Sequence, residues 1–192
     1  MEALRIDKNL EYLRQVSIDV DLKKDNLKED IQLIEEYCLS HGVFAMAAIQ
    51  LGINKRIIYL KNTRLDKVDD DEWNEAQVII NPVIKKQVGL TKYWEACASC
   101  LDNTGLVLRP YKILINYLDL NGKKHQKTFK AFPATVFSHE YDHLNGILHM
   151  DKALEVRIMN KEERREFRKS HGYEIICKDG EFLDLEKDYD KN

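Results

Sequence analysis

The chain has 192 residues, 44% of them hydrophobic and 33% charged, with a net charge of −3. This length suits one domain with a real core. The small net charge implies no strong pull toward nucleic acid or an anionic membrane, and no apolar run approaches the roughly 20 residues that span a bilayer. The opening residues, Met1 to Asp7, lack a signal peptide's apolar stretch, so a cytoplasmic setting is expected. In that setting Cys38, Cys97, Cys100 and Cys177 are not read as a disulfide framework.

Residues 1–25 read as polar and irregular, with short apolar pieces such as Val16-Ser17-Ile18. Asn26 is a capping residue with Glu29 three positions on. Leu27, Ile31, Ile34 and Cys38 then follow helical spacing to Ser40, and Gly42 ends the helix. Cys38 on this stripe is core packing. Residues 42–52 are apolar and rich in small side chains, with Gln50 as the one polar group. That amide is either structural or a donor aimed into a site.

Arg56 to Leu60 reads as a strand, and 61–75 as a solvated polar loop carrying Asp69, Asp70, Asp71 and Glu72. Gln77 to Ile80 is a second strand, stopped by Asn81-Pro82, and Val83 to Val88 a third. Trp94 to Cys100 leads into a turn-rich piece, Asp102-Asn103-Thr104-Gly105. Cys97 and Cys100 spell C-x-x-C, but no thioredoxin-like βαβ pattern surrounds them, and a four-cysteine zinc site lacks its second pair. Leu106 to Leu108 is extended. Lys112 to Leu118 and Lys123 to Lys130 form a hairpin around Asn121-Gly122.

A central helix is expected over about 132–145, with Pro133 in its first turn, an apolar stripe through Val136, Phe137, Tyr141 and Leu144, and Gly146 as its stop. Asn160 caps a helix over 161–170, where Glu162, Glu163, Glu166, Arg164, Arg165 and Arg168 read as a solvated face. Tyr173 to Cys177 and Glu181 to Leu183 flank Lys178-Asp179-Gly180 as a candidate hairpin. Residues 186–192 are expected to fray. The expected fold class is α+β: a single domain with small mixed or antiparallel sheets around the central helix.

That helix carries Ser138-His139-Glu140-Tyr141-Asp142-His143, which reads H-E-x-x-H. On a helix, His139 and His143 share one face at i and i+4, a register in which two imidazoles grip one metal ion. Glu140 beside them is placed to take a proton from a water at the metal. Two histidines leave room for a third protein ligand. Cys97, Cys100, His125, His149 and several carboxylates are available. A thiolate is the favoured type, and the residues alone leave Cys97 and Cys100 both open.

Three segments together resemble peptide deformylase. Ala47-Ala48-Ile49-Gln50 is similar to the end of that family's first motif, Glu95-Ala96-Cys97-Ala98-Ser99 to its second, and His139-Glu140-Tyr141-Asp142-His143 to its third. Order and spacing match from about residue 8 to 155. A gapless register from Leu106-Val107-Leu108-Arg109 selects Cys97. The resemblance implies a deformylase-like domain over 1–185, with Cys97, His139 and His143 as metal ligands and Glu140 as acid–base group. Gln50 and the Ala98 N–H would serve the oxyanion. The backbone around Phe44 and Ala45 would hold an extended peptide. It implies one divalent metal, iron(II), with zinc or nickel able to occupy the site. The implied substrates are N-formylmethionyl peptides of nascent chains, with the ribosome as a further candidate partner.

The sequence departs from the family pattern at Val43, Ala45, Ala96 and Ala98, and Cys100-Leu101 stands where a proline often follows the second motif. The metal and acid–base positions are kept while those around the substrate are loosened. One alternative is hydrolysis of another N-acyl substrate or of an internal peptide bond, since H-E-x-x-H also marks zinc proteases. Another is a degenerate, non-catalytic peptide- or ribosome-binding module, which would not need Glu140. A structural zinc site would need a fourth protein ligand, for which Cys100 is the candidate.

Overall fold

Residues 2–61 and 77–182 are described by a computed structural model. In chain order they form α1 (Ile6–Leu13), α2 (Leu27–His41), β1 (Ala45–Ala47), a 3-10 turn (Ala48–Leu51), β2 (Ile57–Leu60), β3 (Gln77–Ala96), β4 (Asn103–Arg109), β5 (Lys112–Leu118) and β6 (Lys124–Lys130). Then follow α3 (Phe132–His143), a 3-10 turn (His149–Lys152), β7 (Ala153–Ile158), α4 (Lys161–Ser170) and β8 (Glu174–Glu181). The expected α+β domain is present. The acidic run Asp69 to Glu72 and the tail from Glu186 lie outside the described residues.

Among the described residues the expected small sheets are joined into one eight-stranded sheet by β3, and all the strand pairings are antiparallel. β3 pairs first with β2 and β5, then with β8, and at its end with β4. Asn81-Pro82 does not stop it. Asn81 takes a left-handed backbone (φ 49°), its N–H donates to the Arg56 carbonyl (2.9 Å), and its side chain bonds both ways to the Val20 backbone. Pro82, with no N–H, falls at the register shift between Ile80 and Val83, so the pair is a bulge within the strand. The expected terminal hairpin is also absent among the described residues, Leu183 lying outside them. Residues 174–181 form one strand that pairs with β3 and passes through a register shift.

The apolar stretch after Gly42 is buried because β1 and β2 lie between two helices. Alternation along the strands turns Ala45, Ala47, Ile58 and Leu60 toward α3, where they pack with Ala134, Phe137 and Leu144. It turns Met46, Ile57 and Tyr59 toward α2, where Ile34, Tyr37 and Cys38 cover them. A strand covered on both faces reads as an unbroken apolar run. Asn26 caps α2 through the Lys28 N–H, and Asn160 caps α4 reciprocally with Glu163.

Residues 1–25 are not irregular throughout. Ile6, Leu10 and Leu13 lie on α1, with Leu13 fully buried. This segment ties the site loops together: Leu4 N–H donates to the Gln50 carbonyl (2.8 Å) and Ile6 N–H to the Ser99 carbonyl (2.9 Å). Past α3 the chain turns at Gly146 (φ 72°), where a Cβ would stand 2.2 Å from the Arg14 carbonyl oxygen, so glycine is required twice over. Among the described residues no helix is long and apolar enough to cross a membrane.

Phe137 is fully buried and stacks on Phe129 with ring centroids 5.0 Å apart. Phe137→Ala should lower unfolding free energy by about 3–5 kcal/mol, read from the urea midpoint at constant slope.

Candidate metal centre

α3 stacks His139 and His143 on one face, with ring centroids 5.0 Å apart. Opposite them β3 ends at Ala96, and Cys97 begins the turn that follows. The Cys97 sulfur lies 3.2 Å from His143 Nε2. The donor atoms of Cys97, His139 and His143 all lie within 4.8 Å of one another, the one such trio of metal-binding side chains among the described residues. Of the two cysteines that the spacing leaves open, Cys97 faces the imidazoles. Cys100 is buried against Leu148 and Ile6. His125 pairs instead with Asp119 (2.7 Å), and His149 lies against the His139 ring, with centroids 5.7 Å apart, without joining the trio.

A thiolate and two imidazoles at this spacing suit a divalent transition metal. The orientation of His139 supports the same fit. Its Nδ1 is 2.9 Å from Glu95 Oε2, which leaves the other ring nitrogen for ligation. Glu95 is itself held by Arg109 through two hydrogen bonds of 2.7 and 2.9 Å. Arg109 also donates to Asp142, and Lys152 reaches the other Asp142 oxygen at 3.1 Å. Arg109 and Glu95 are only 3% and 4% exposed. Burial opposes ionisation of Glu95, but the guanidinium beside it prevails and holds the carboxyl well below the usual carboxylate range. Sequence reasoning gave Glu95, Arg109 and Asp142 no such role. The available signal was their position as charged residues within segments that are otherwise buried.

Glu140 is buried, and its Oε2 accepts from Ala47 N–H at 2.8 Å. Burial pushes its carboxyl up to about 7. Gln50 is 2% exposed. Its Oε1 accepts from the same Ala47 N–H (3.1 Å), and its Nε2 donates to Cys97 Sγ (3.3 Å) and Ser99 Oγ (3.2 Å). The amide is thus both structural and aimed into the site. Ser99 N–H adds a contact to the Cys97 sulfur at 3.4 Å. A pocket opens over this cluster. Val43, Phe44, Ala45 and Met46 form one wall, Tyr93, Phe132, Thr135 and Val136 another, and Ala96 and Ala98 flank the cysteine. Phe44 is half exposed and Ala45 buried. Arg168, expected on a solvated face of α4, also lines this pocket.

Glu95→Gln should weaken metal affinity by roughly 10–100-fold, because an amide holds the His139 ring less firmly. Competition with a chromogenic chelator measures this. Unaltered affinity would mean that Glu95 serves Arg109 alone.

Comparison with known proteins adds independent support. A family model described as polypeptide deformylase matches residues 4–162. The peptide deformylase of Pelagibacter ubique is 35% identical over 140 residues, which cover 72% of this chain and 78% of that protein. The Finegoldia magna peptide deformylase is 31% identical over 173 residues, covering 85% and 99%. Among solved structures, an Acinetobacter baumannii class I type b peptide deformylase with bound Met-Ala-Ser superposes with a TM-score of 0.69 at 27% identity, covering 79% of this chain and 97% of that one. A Plasmodium falciparum peptide deformylase with inhibitor gives 0.67 at 28%, covering 88% and 95%. With a family model spanning most of its length and a Cys/His/His trio spaced to accept a metal, the chain belongs to the polypeptide deformylase family.

Proposed function

We propose that Cys97, His139 and His143 hold one divalent metal, iron(II) in the native state, and that Glu140, Gln50 and the Ala98 N–H perform the chemistry around it. The reaction is the family's, hydrolytic removal of the N-formyl group from nascent peptides. The observation that carries the residue roles is the buried Glu140 carboxylate beside the cysteine–histidine trio, within a pocket open to substrate. When bound, the metal would supply Lewis acidity, making a water more acidic and polarising the formyl carbonyl.

The peptide lies extended along the Val43 to Met46 wall, its backbone beside β1, as in strand addition. Phe44 and Ala45 hold it there. Glu140, with a carboxyl near 7, takes the proton of the attacking water and passes it to the departing amine nitrogen. Formate and a free amino terminus result. Ala47 N–H keeps Glu140 in position, and the same N–H fixes the Gln50 amide. Gln50 Nε2 and the Ala98 N–H stabilise charge developing on the formyl oxygen. One thiolate and two imidazoles accommodate iron, zinc or nickel.

Formate release from formyl-Met peptides by metal-loaded protein tests the reading. Glu140→Gln should keep the metal and lose about 10²–10⁴-fold in turnover. Near-native turnover in that variant would remove Glu140 from the mechanism. Cys97→Ala should lose metal by elemental analysis, whereas Cys100→Ala should retain it.

A further inference from the structure

Arg168 is a cation in a pocket that otherwise presents mostly apolar and aromatic walls. It comes from α4, beyond residues 4–162 where the family model matches. Its Nε and Nη2 both donate to the Trp94 carbonyl, and its guanidinium lies over the Tyr93 ring, 4.7 Å from the centroid. A guanidinium carries five N–H donors, and one carbonyl oxygen does not use them all. No ion pair joins Arg168 to a carboxylate of the described residues, although five other arginines have one. Glu95, which shares the pocket lining, is committed to Arg109 and His139.

Fastening α4 does not require this charge. Phe167 already packs edge-on against Trp94, with centroids 5.1 Å apart. A guanidinium held over an aromatic ring, with donors to spare and the ring itself lining the site, matches a carboxylate in shape and charge.

We propose that Arg168 forms a carboxylate-binding subsite of the substrate pocket, so that the chain favours formyl peptides that carry a negative charge near the formylated end. This rests on the proposed deformylase site. The carboxylate is either an acidic side chain of the peptide or the C-terminal carboxylate of a short one.

Formate release by the metal-loaded full chain would be compared on four peptides: formyl-Met-Ala-Ala as free acid and as amide, and the amides of formyl-Met-Asp-Ala and formyl-Met-Asn-Ala. The chain should prefer the charged member of a pair by about tenfold in kcat/KM, equivalent to one charged hydrogen bond. Arg168→Gln should abolish that preference, and Arg168→Lys should retain part of it. Preference within the Asp/Asn pair assigns the subsite to a side chain. Preference within the acid/amide pair assigns it to a chain terminus. Equal kinetics within both pairs, or a preference that survives Arg168→Gln, overturns the proposal. If no peptide yields formate, the deformylase reading fails separately, and calorimetry of the corresponding unformylated peptides still decides whether Arg168 selects a carboxylate.

Discussion

The metal-binding face depends on one buried guanidinium. Arg109 at the end of β4 bonds to Glu95 near the end of β3 and to Asp142 on α3. Two neighbouring strands and the more distant α3 are thereby held together at the level of the proposed ligands. Two carboxylates against one guanidinium leave an excess of negative charge, and Lys152 offsets it from the far side of Asp142. A fully paired buried network is close to neutral for stability, but loss of one member strands the others at a cost of about 3–5 kcal/mol. What the network contributes is position. It sets the His139 ring by way of Glu95 and anchors the α3 backbone by way of Asp142.

The second constraint is the tight seam between β1 and α3. Alanines at 45 and 47 let the helix approach, and the resulting proximity allows Ala47 N–H to meet the Glu140 carboxylate. The same N–H is shared with Gln50. One backbone donor therefore orders two of the proposed catalytic side chains. Burial brings the Glu140 carboxyl close to neutrality in its proton affinity, which suits a group that must both accept and return a proton.

Much of this was legible in the sequence where the signal is local. Histidines at i and i+4, the Asn26 and Asn160 caps and the Lys112 to Lys130 hairpin all follow from side chains within a few residues of one another. Most of the departures have long-range causes. Asn81-Pro82 looks like a stop because Pro82 lacks a ladder donor, and only the Val20 and Arg56 backbones turn it into a bulge. α1 is short, and although Ile6, Leu10 and Leu13 keep helical spacing, Arg5 provides no side-chain cap to mark where the helix begins. Arg168 sits in a helix whose charge pattern reads as solvated, and its place in the pocket depends on Tyr93 and Trp94, more than seventy residues earlier. Glu95 and Arg109 are fourteen residues apart, but their pairing requires β3 and β4 to be in register.

The contact between Glu140 and Ala47 joins residues 93 positions apart, and that between Cys97 and His143 joins residues 46 apart. No fragment that stops short of α3 contains the two histidines, and α3 alone lacks the cysteine. Closing such long loops is entropically slow, and a topology dominated by them folds more slowly than a helical bundle of equal length. Assembly of the proposed ligand set is therefore coupled to the docking of α3 on the sheet. During synthesis, a chain of this kind gains its own activity only after most of it has left the machinery that makes its substrates.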